Sequence, residues 1–282
     1  MNIAIILSGG TGTRLGGDIP KQYIEVNNKP VIGYCLETIL SHKMIDMVYI
    51  VAAPEWQDFL SNAINTLSIS DKAKAKFAGF ALPGENRQYS IYNGLLCVKE
   101  LFQAATIPGN SLLNKALNTS LSVKASDASL SEKAPNTSLL DKCAGSSINR
   151  EGLAANVFIH DAARPLLSEA LISRCFEALK EHEGVLPVLP MKDTIYQSDD
   201  GKLVSALLDR KKLFAGQAPE AFVFDKYLEA NEAYVPFKTI NGSTEVAIMH
   251  KMDVAMIDGE EINFKITTKA DLERFQQILK KA

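Results

Sequence analysis

Met1-Asn2-Ile3-Ala4-Ile5-Ile6-Leu7-Ser8-Gly9-Gly10-Thr11-Gly12-Thr13-Arg14-Leu15-Gly16 is the stretch on which the fold turns. Ile3 to Leu7 is a short unbroken apolar run, the pattern of a strand buried on both faces, and it leads straight into glycines. Glycines let the backbone pass close to a ligand and turn N–H groups toward oxyanions, so a loop of this kind after a strand binds phosphate. It is not a Walker loop, because no Gly-Lys-Ser or Gly-Lys-Thr closes it. Nor is it the hydride-cofactor fingerprint, whose third glycine opens the helix at once and whose acid ends the second strand. Here the second strand runs out into Ala52-Ala53-Pro54-Glu55. The opening run is also too short to span a bilayer and has neither a basic leader nor a small-residue cleavage site, which reads as a strand rather than a targeting segment.

Outward from this unit, strand-length apolar runs alternate with helical periods. Val31, Ile32, Leu36, Ile39 and Leu40 recur at helical spacing behind Pro30; Met47 to Ala53 reads as a strand, as does Lys76 to Ala81, followed by a helix from Arg87 to Phe102. Asn156 to Ile159 is a strand leading into His160-Asp161, Leu171 to Leu179 a helix, and Gly184 to Val188 a buried strand. This order predicts an α/β fold with a mainly parallel sheet flanked by helices, in a single domain over residues 1–282. Two segments depart from it. Residues 103–154 are rich in Ser, Asn, Ala and Leu, repeat Asn-Thr-Ser-Leu, and lack aromatic residues, so they read as a poorly ordered low-complexity insertion, with a short helical hairpin as the alternative. Within residues 192–212, Thr194-Ile195-Tyr196 and Leu203-Val204-Ser205 flank Asp199-Asp200-Gly201, a hairpin signal that predicts a projecting β-arm. The C-terminal stretch offers a helix from Phe224 to Ala233, strands at Val254 to Ile257 and Asn263 to Ile266, and a last helix ending near Leu279.

With 30 Lys and Arg against 33 Asp and Glu, the formal net charge is only -3, which provides no broad footprint for nucleic acid or an anionic membrane. Any bound anion must be met locally. Cys35, Cys97, Cys143 and Cys175 are scattered without a Cys-x-x-Cys pair, as expected of reduced thiols in a cytoplasmic protein. His42, His160, His182 and His250 form no metal spacing.

Arg14 and Lys21, the latter within Ile19-Pro20-Lys21-Gln22-Tyr23, add two cations beside the glycine loop. Phosphoryl and nucleotidyl transfer need such positioned charges on non-bridging and leaving oxygens. Further blocks follow in order: Gly84-Glu85-Asn86-Arg87-Gln88-Tyr89-Ser90-Ile91-Tyr92-Asn93-Gly94-Leu95, His160-Asp161-Ala162-Ala163-Arg164-Pro165, Lys192-Asp193-Thr194-Ile195, Gln217-Ala218-Pro219-Glu220 and Asn263-Phe264-Lys265-Ile266-Thr267. On these motifs the chain resembles the 2-C-methyl-D-erythritol 4-phosphate cytidylyltransferases and their close relatives acting on ribitol 5-phosphate.

The resemblance implies a Rossmann-like nucleotidyltransferase fold whose arm crosses to a second subunit, hence a homodimer. It implies transfer of CMP from CTP to a polyol phosphate with release of pyrophosphate. The acceptor expected first is 2-C-methyl-D-erythritol 4-phosphate, on the way to isoprenoid precursors. Residue by residue, it places Ser8, Gly9, Gly10 and Gly12 along the triphosphate and makes Arg14 and Lys21 stabilise the transition state. Gly84, Glu85 and Ser90 hold cytosine and ribose, Asp161, Ala162 and Lys265 sit where nucleotide meets acceptor, and Thr194, Arg210 and Thr244 belong to acceptor binding.

The residues themselves support part of this. Asp161 ends a strand where open α/β sheets place ligands, and its carboxylate suits Mg2+ held on phosphates; a helix N-cap is the competing reading. Arg164, just before Pro165, suits a structural ion pair. Lys265 alternates with apolar neighbours and so leaves the buried face of its expected strand. His160 reads as structural, since a phosphate monoester near pH 7 is already an anionic nucleophile. Two departures bear on the acceptor. The family usually has Gln-Thr-Pro-Gln where this chain has Gln217-Ala218-Pro219-Glu220, and an additional acid where it has Thr244-Glu245-Val246-Ala247. Ribitol 5-phosphate or another polyol phosphate is therefore the alternative acceptor, and a non-catalytic nucleotide-binding protein the alternative of another class. A glycosyltransferase is disfavoured, because no Asp-x-Asp triplet is present.

Overall fold

The computed structural model describes residues 1–10, 19–105, 155–237, 239–240 and 242–281. Arg14 and Gly12 therefore lie outside the described residues, as does nearly all of the segment expected to be an insertion. The helix that begins at Arg87 extends to Ala105, three residues past the helix end expected from the sequence.

Strand β1 (Asn2–Leu7) is central, as its apolar run predicts. A short 3-10 turn (Lys21–Tyr23) and a small ribbon, β2 (Glu25–Val26) with β3 (Lys29–Pro30), lead into α1 (Val31–Ser41). Then come β4 (Met47–Val51), α2 (Pro54–Thr66), α3 (Asp71–Lys74), β5 (Phe77–Ala81) and α4 (Arg87–Ala105). The second half holds β6 (Asn156–Asp161), α5 (Glu169–Ala178), β7 (Gly184–Pro190), β8 (Ile195–Gln197) and β9 (Ala206–Leu208). After a 3-10 turn (Arg210–Lys212) it closes with β10 (Phe214–Gly216), β11 (Glu220–Val223), α6 (Phe224–Ala233), α7 (Ser243–Met249), β12 (Val254–Asp258) and α8 (Lys269–Leu279).

β1 lies between β4 and β6, parallel to both, and β5 extends the sheet beyond β4. On the other side β11 runs antiparallel between β6 and β7. Val188 pairs with both Gly216 and Asp258, and Val185 with both Ala221 and Ala255. β10 and β11 therefore share one edge of β7, and β12 takes the other in parallel. The result is a mixed, mainly parallel sheet with helices on both faces.

Alternation along the strands separates two cores. Ala4, Ile6, Val48 and Ile50 face Ile32, Leu36, Leu60, Leu171 and Phe176, and thus α1, α2 and α5. Ile3, Ile5, Val51, Val157, Ile159 and Phe222 face Ile91, Leu95, Tyr227 and Val246, and thus α4, α6 and α7. Because successive strand residues point to opposite faces, a central strand apolar at every position requires cover on both sides, and the helices provide it. Gly94 lets α4 lie flat on β1: a Cβ there would sit 2.7 Å from Ile5 Cγ2. α8 is fixed by a capping box in which the Thr268 side chain accepts from the Asp271 amide and Asp271 accepts from the Thr268 amide. It closes a third core through Phe275, with Val26, Val31 and Ile266.

Two expectations are corrected. Asn263 to Ile266 is not a strand, because its polar groups bind other segments. The Ile266 amide donates to the Ala163 carbonyl (2.8 Å), and the Asn263 carboxamide donates to the Ala218 carbonyl (2.7 Å). In the arm, Ile195 pairs with Leu208 and Gln197 with Ala206, so Leu203-Val204-Ser205 belongs to the turn and not to the second strand. The turn is longer than an Asp-Gly pair predicts, because the Asp200 carboxylate accepts from the amides of both Lys202 and Leu203, folding them into the bend.

Candidate active site

The carboxyl ends of β1, β5 and β6 meet at one edge of the sheet, where an α/β fold places its ligands. At the end of β1 the chain is fastened from downstream. The Gln22 amide donates to the carbonyls of Ser8 (2.7 Å) and Gly10 (2.8 Å), and the Tyr23 hydroxyl donates to the Ser8 carbonyl (3.0 Å). The Ser8 hydroxyl itself donates to Tyr23 Oη (2.8 Å), and its amide donates to the Val51 carbonyl. Ser8 thus fixes the base of the loop. Gly9 packs against the loop after β5, where a Cβ would meet Pro83 Cβ at 2.5 Å, whereas a Cβ on Gly10 would meet nothing within 4 Å. Lys21 sits in the 3-10 turn that carries this clasp.

The loop after β5 is tied just as closely. The Gly84 amide donates to the Ser90 hydroxyl (3.0 Å), which donates to the Asn86 carbonyl, while Asn86 Oδ1 caps α4 by accepting from the Tyr89 amide. A Cβ on Gly84 would stand 2.2 Å from Tyr89 Cβ and 2.8 Å from the Tyr89 carbonyl carbon, so only glycine fits. Glu85 is exposed beside it. Gly9, Gly10, Gly84, Glu85 and Ser90 are thereby brought together around neighbouring loops.

Asp161, the last residue of β6 and 7% exposed, is the electrostatic centre. Its Oδ1 accepts from Arg87 Nη2 (2.9 Å) and its Oδ2 from Lys265 Nζ (2.9 Å), with Arg164 Nε 3.8 Å from Oδ2. Burial alone would push this carboxyl up, but the charges of Arg87, Lys265 and Arg164 outweigh it and hold Asp161 well below the usual carboxylate range. It is an ionised group, not a helix cap. Ala162 adds little side chain, and its amide is committed to the Leu7 carbonyl (3.0 Å). Arg164 is the structural cation its sequence suggested, since Nη1 donates to the Asn263 carbonyl (2.6 Å) and so anchors the loop that carries Lys265.

His160 is fully buried and has one ring nitrogen against the Arg164 carbonyl (3.0 Å). Burial pushes its pKa down to about 4, so it is neutral near pH 7 and structural, as its sequence position suggested.

Arg87 and Glu220 stood inside the quoted motifs without an assigned role. Arg87 reaches from the start of α4 to Asp161, donates through Nη1 to the Ser243 hydroxyl (2.6 Å), and lies 3.9 Å from Glu220 Oε1. The signal available in the sequence was the Gln-to-Glu departure at position 220, a carboxylate added to a motif already rich in charge. Thr244 follows Ser243 in α7 and is half-buried. Thr194 and Arg210 are both exposed on the arm, where Arg210 Nη1 donates to the Lys192 carbonyl (2.9 Å); they belong to a different part of the surface element from the Asp161 group.

Among the described residues no group of three His, Cys, Asp or Glu side chains could hold a metal ion. Asp161 is the carboxylate of this group that could add one contact to a hard cation carried on a ligand's phosphates, and its two oxygens already accept from Arg87 and Lys265, so the described residues form no cage for an ion by themselves.

Comparison with known proteins follows the same lines. A family model described as IspD, 2-C-methyl-D-erythritol 4-phosphate cytidylyltransferase, matches residues 2–108 and 145–281. The chain is 28% identical over 283 residues to a ribitol-5-phosphate cytidylyltransferase of Vibrio parahaemolyticus, covering 99% of this chain and 96% of the relative. It is 26% identical over 277 residues to a 2-C-methyl-D-erythritol 4-phosphate cytidylyltransferase of Lachnospira eligens, covering 97% and 96%. Among solved structures, 4-diphosphocytidyl-2C-methyl-D-erythritol synthase from Anaerococcus prevotii superposes with a TM-score of 0.68 at 20% identity, covering 99% of this chain and 96% of that one.

Proposed function

The chain belongs to the 2-C-methyl-D-erythritol 4-phosphate cytidylyltransferase family, and from that membership we propose that it joins CMP to the phosphate of 2-C-methyl-D-erythritol 4-phosphate and releases pyrophosphate. It is a CTP-dependent nucleotidyltransferase. The observation that carries the site assignment is Asp161, held ionised between Arg87 and Lys265 at the sheet edge where the glycine loop ends β1.

CTP lies with its triphosphate over Gly9 and Gly10 and its base and ribose against Gly84, Glu85 and Ser90. The acceptor phosphate oxygen attacks the α-phosphorus in line, the bond from that phosphorus to the β-phosphate bridging oxygen breaks, and the electron pair leaves with pyrophosphate. Lys21, and Arg14 from outside the described residues, stabilise the charge that grows on the leaving group. Lys265, the most exposed of the three cations on Asp161, shares its ammonium between that carboxylate and the incoming phosphate in this reading. No general base is needed, and neutral, buried His160 is not one. Asp161 would be the carboxylate that holds a magnesium ion on the triphosphate, and the ion would supply neutralisation of phosphate charge.

Ribitol 5-phosphate is the second reading. It is supported by relatives of that name at similar identity and by Ala218 and Glu220, where the methylerythritol enzymes usually carry Thr and Gln. A homodimer formed through the arm is supported by its apolar exposure: Tyr196 is 60% and Leu207 64% accessible in the single chain. Thr194 and Arg210 would then serve the acceptor phosphate in the neighbouring subunit. A cytoplasmic location is supported by unpaired Cys35, Cys97 and Cys175, and no described helix is long and apolar enough to cross a membrane.

The test is pyrophosphate release from each nucleoside triphosphate over a panel of polyol phosphates. Turnover with CTP and one of the two named acceptors is expected. Absence of release from CTP on every acceptor would refute the assignment, and preference for ribitol 5-phosphate would select the second reading.

A further inference from the structure

We propose that Glu220 is a positioning residue which, together with Ser243, pins the Arg87 guanidinium to Asp161, so that Lys265 is left as the cation that answers the substrate's phosphate. The inference deepens the cytidylyl-transfer reading of this site and rests on it. Register supplies the geometry. Glu220, the first residue of β11, is paired with Ile159 of β6, and Asp161 is two residues further along β6 on the same face. The two carboxylates are therefore diagonal neighbours on the face covered by α4, from whose first turn Arg87 reaches across both.

Glu220 is 8% exposed, and its Oε2 is buried with no hydrogen-bond partner among the described residues. A carboxylate buried this way is costly unless a cation compensates it, and the nearest among the described residues is Arg87 Nη2 at 3.9 Å from Oε1. Ser243 completes the clamp by accepting from Arg87 Nη1 at 2.6 Å. Arg87 is thus held at three points. Among the described residues Lys265 Nζ pairs with Asp161 alone, and its side chain is 38% exposed against 32% for Arg87 and 12% for Arg164. Of the cations on Asp161, Lys265 is the one that can turn outward without stranding a buried charge.

The variant Glu220→Gln keeps the shape, removes the charge, and restores the residue type the resemblance leads one to expect, so it should fold. Without the carboxylate, Arg87 is released toward anions and the site gains net positive charge. Isothermal titration with inorganic pyrophosphate should show affinity rising roughly tenfold. In turnover, KM for the acceptor should fall while kcat drops by roughly tenfold as product leaves more slowly. Ser243→Ala should move both readouts in the same direction by less, and the double variant should be non-additive. A merely structural role would lower melting temperature without splitting KM from kcat. Folded Glu220→Gln protein with unchanged pyrophosphate affinity, kcat and KM would overturn the proposal. If that variant does not fold, Ser243→Ala decides by the same readouts. The pyrophosphate titration needs no acceptor, so a mistaken acceptor, seen as wild-type protein without turnover, is separated from a mistaken Glu220.

Discussion

Replacing Asp161 with Asn tests the centre of the structure most directly, because the side chain keeps its volume and loses only its charge. Two cations lie 2.9 Å from the carboxylate and a third 3.8 Å away. In the variant, one amide oxygen still faces Arg87 or Lys265, but the amide N–H2 must then point at the other cation, donor against donor. Removing one partner of a buried ion pair costs about 3–5 kcal/mol. Arg87 and Lys265 are each about a third exposed and regain part of their hydration, so the lower end, ~3 kcal/mol, applies. At roughly 2–4 °C per kcal/mol for a domain of this size, the melting temperature should drop by roughly 6–12 °C. Urea denaturation should give the same loss with an unchanged slope. Adding Lys265→Met should recover part of it, with a coupling of about 1–3 kcal/mol. An Asp161→Asn protein within about 0.5 kcal/mol of wild type would mean that the three cations are solvated and that the cluster does not hold the sheet edge together.

Three other outcomes are expected. Gly84→Ala drives a Cβ into the Tyr89 backbone, which a side-chain rotation cannot relieve, so CTP affinity by calorimetry should fall about tenfold, with a stability loss of about 1–3 kcal/mol; normal CTP binding would remove this loop from the nucleotide site. Leu207→Glu on the exposed arm should shift sedimentation from dimer to monomer without altering the fold by circular dichroism, whereas an unchanged sedimentation coefficient would exclude the arm as the interface. Burial, only partly offset by Arg87 and Ser243, holds the Glu220 pKa above its unfolded value, so its contribution to stability is full in acid and is lost as pH rises through the folded value. Glu220→Gln does not titrate there. Its stability relative to wild type should therefore increase between pH 4 and pH 8, and a constant difference would contradict the assignment.

What could be read from the sequence followed the range of the forces involved. β1 was legible because five apolar residues in succession leave no other local solution, and the end of β6 because the apolar Val157-Phe158-Ile159 leads into His160-Asp161. The same reasoning failed at Asn263 to Ile266, where period-two alternation suggested a strand but hydrogen bonds to Ala163 and Ala218 bind the segment as a connecting loop. Those partners lie about a hundred and 45 residues away, and no local pattern encodes them. Arg87 is the sharper case. Its place in a charged motif was visible, but its partners Asp161, Glu220 and Ser243 come from β6, β11 and α7, and only the register of β11 against β6 brings them within its reach. Ser8 is a second case: its hydroxyl and amide are engaged by Tyr23 and Val51, contacts that no local pattern around the glycine loop encodes.

The antiparallel pairing of Pro190 with Phe214 means that the arm leaves the sheet and returns to it at adjacent points. Facing residues of such a ladder are about 5 Å apart, a gap that a two-residue turn spans. Residues 191–213 could thus be excised and the ends rejoined without altering the register of β7 or β10. The shortened chain would retain the glycine loop, Asp161 and Lys265 and lose Thr194 and Arg210. On the proposed assignment of Thr194 and Arg210 to the acceptor, the chain would resolve into a core that captures the nucleotide and a detachable module that adds part of the second substrate's contacts.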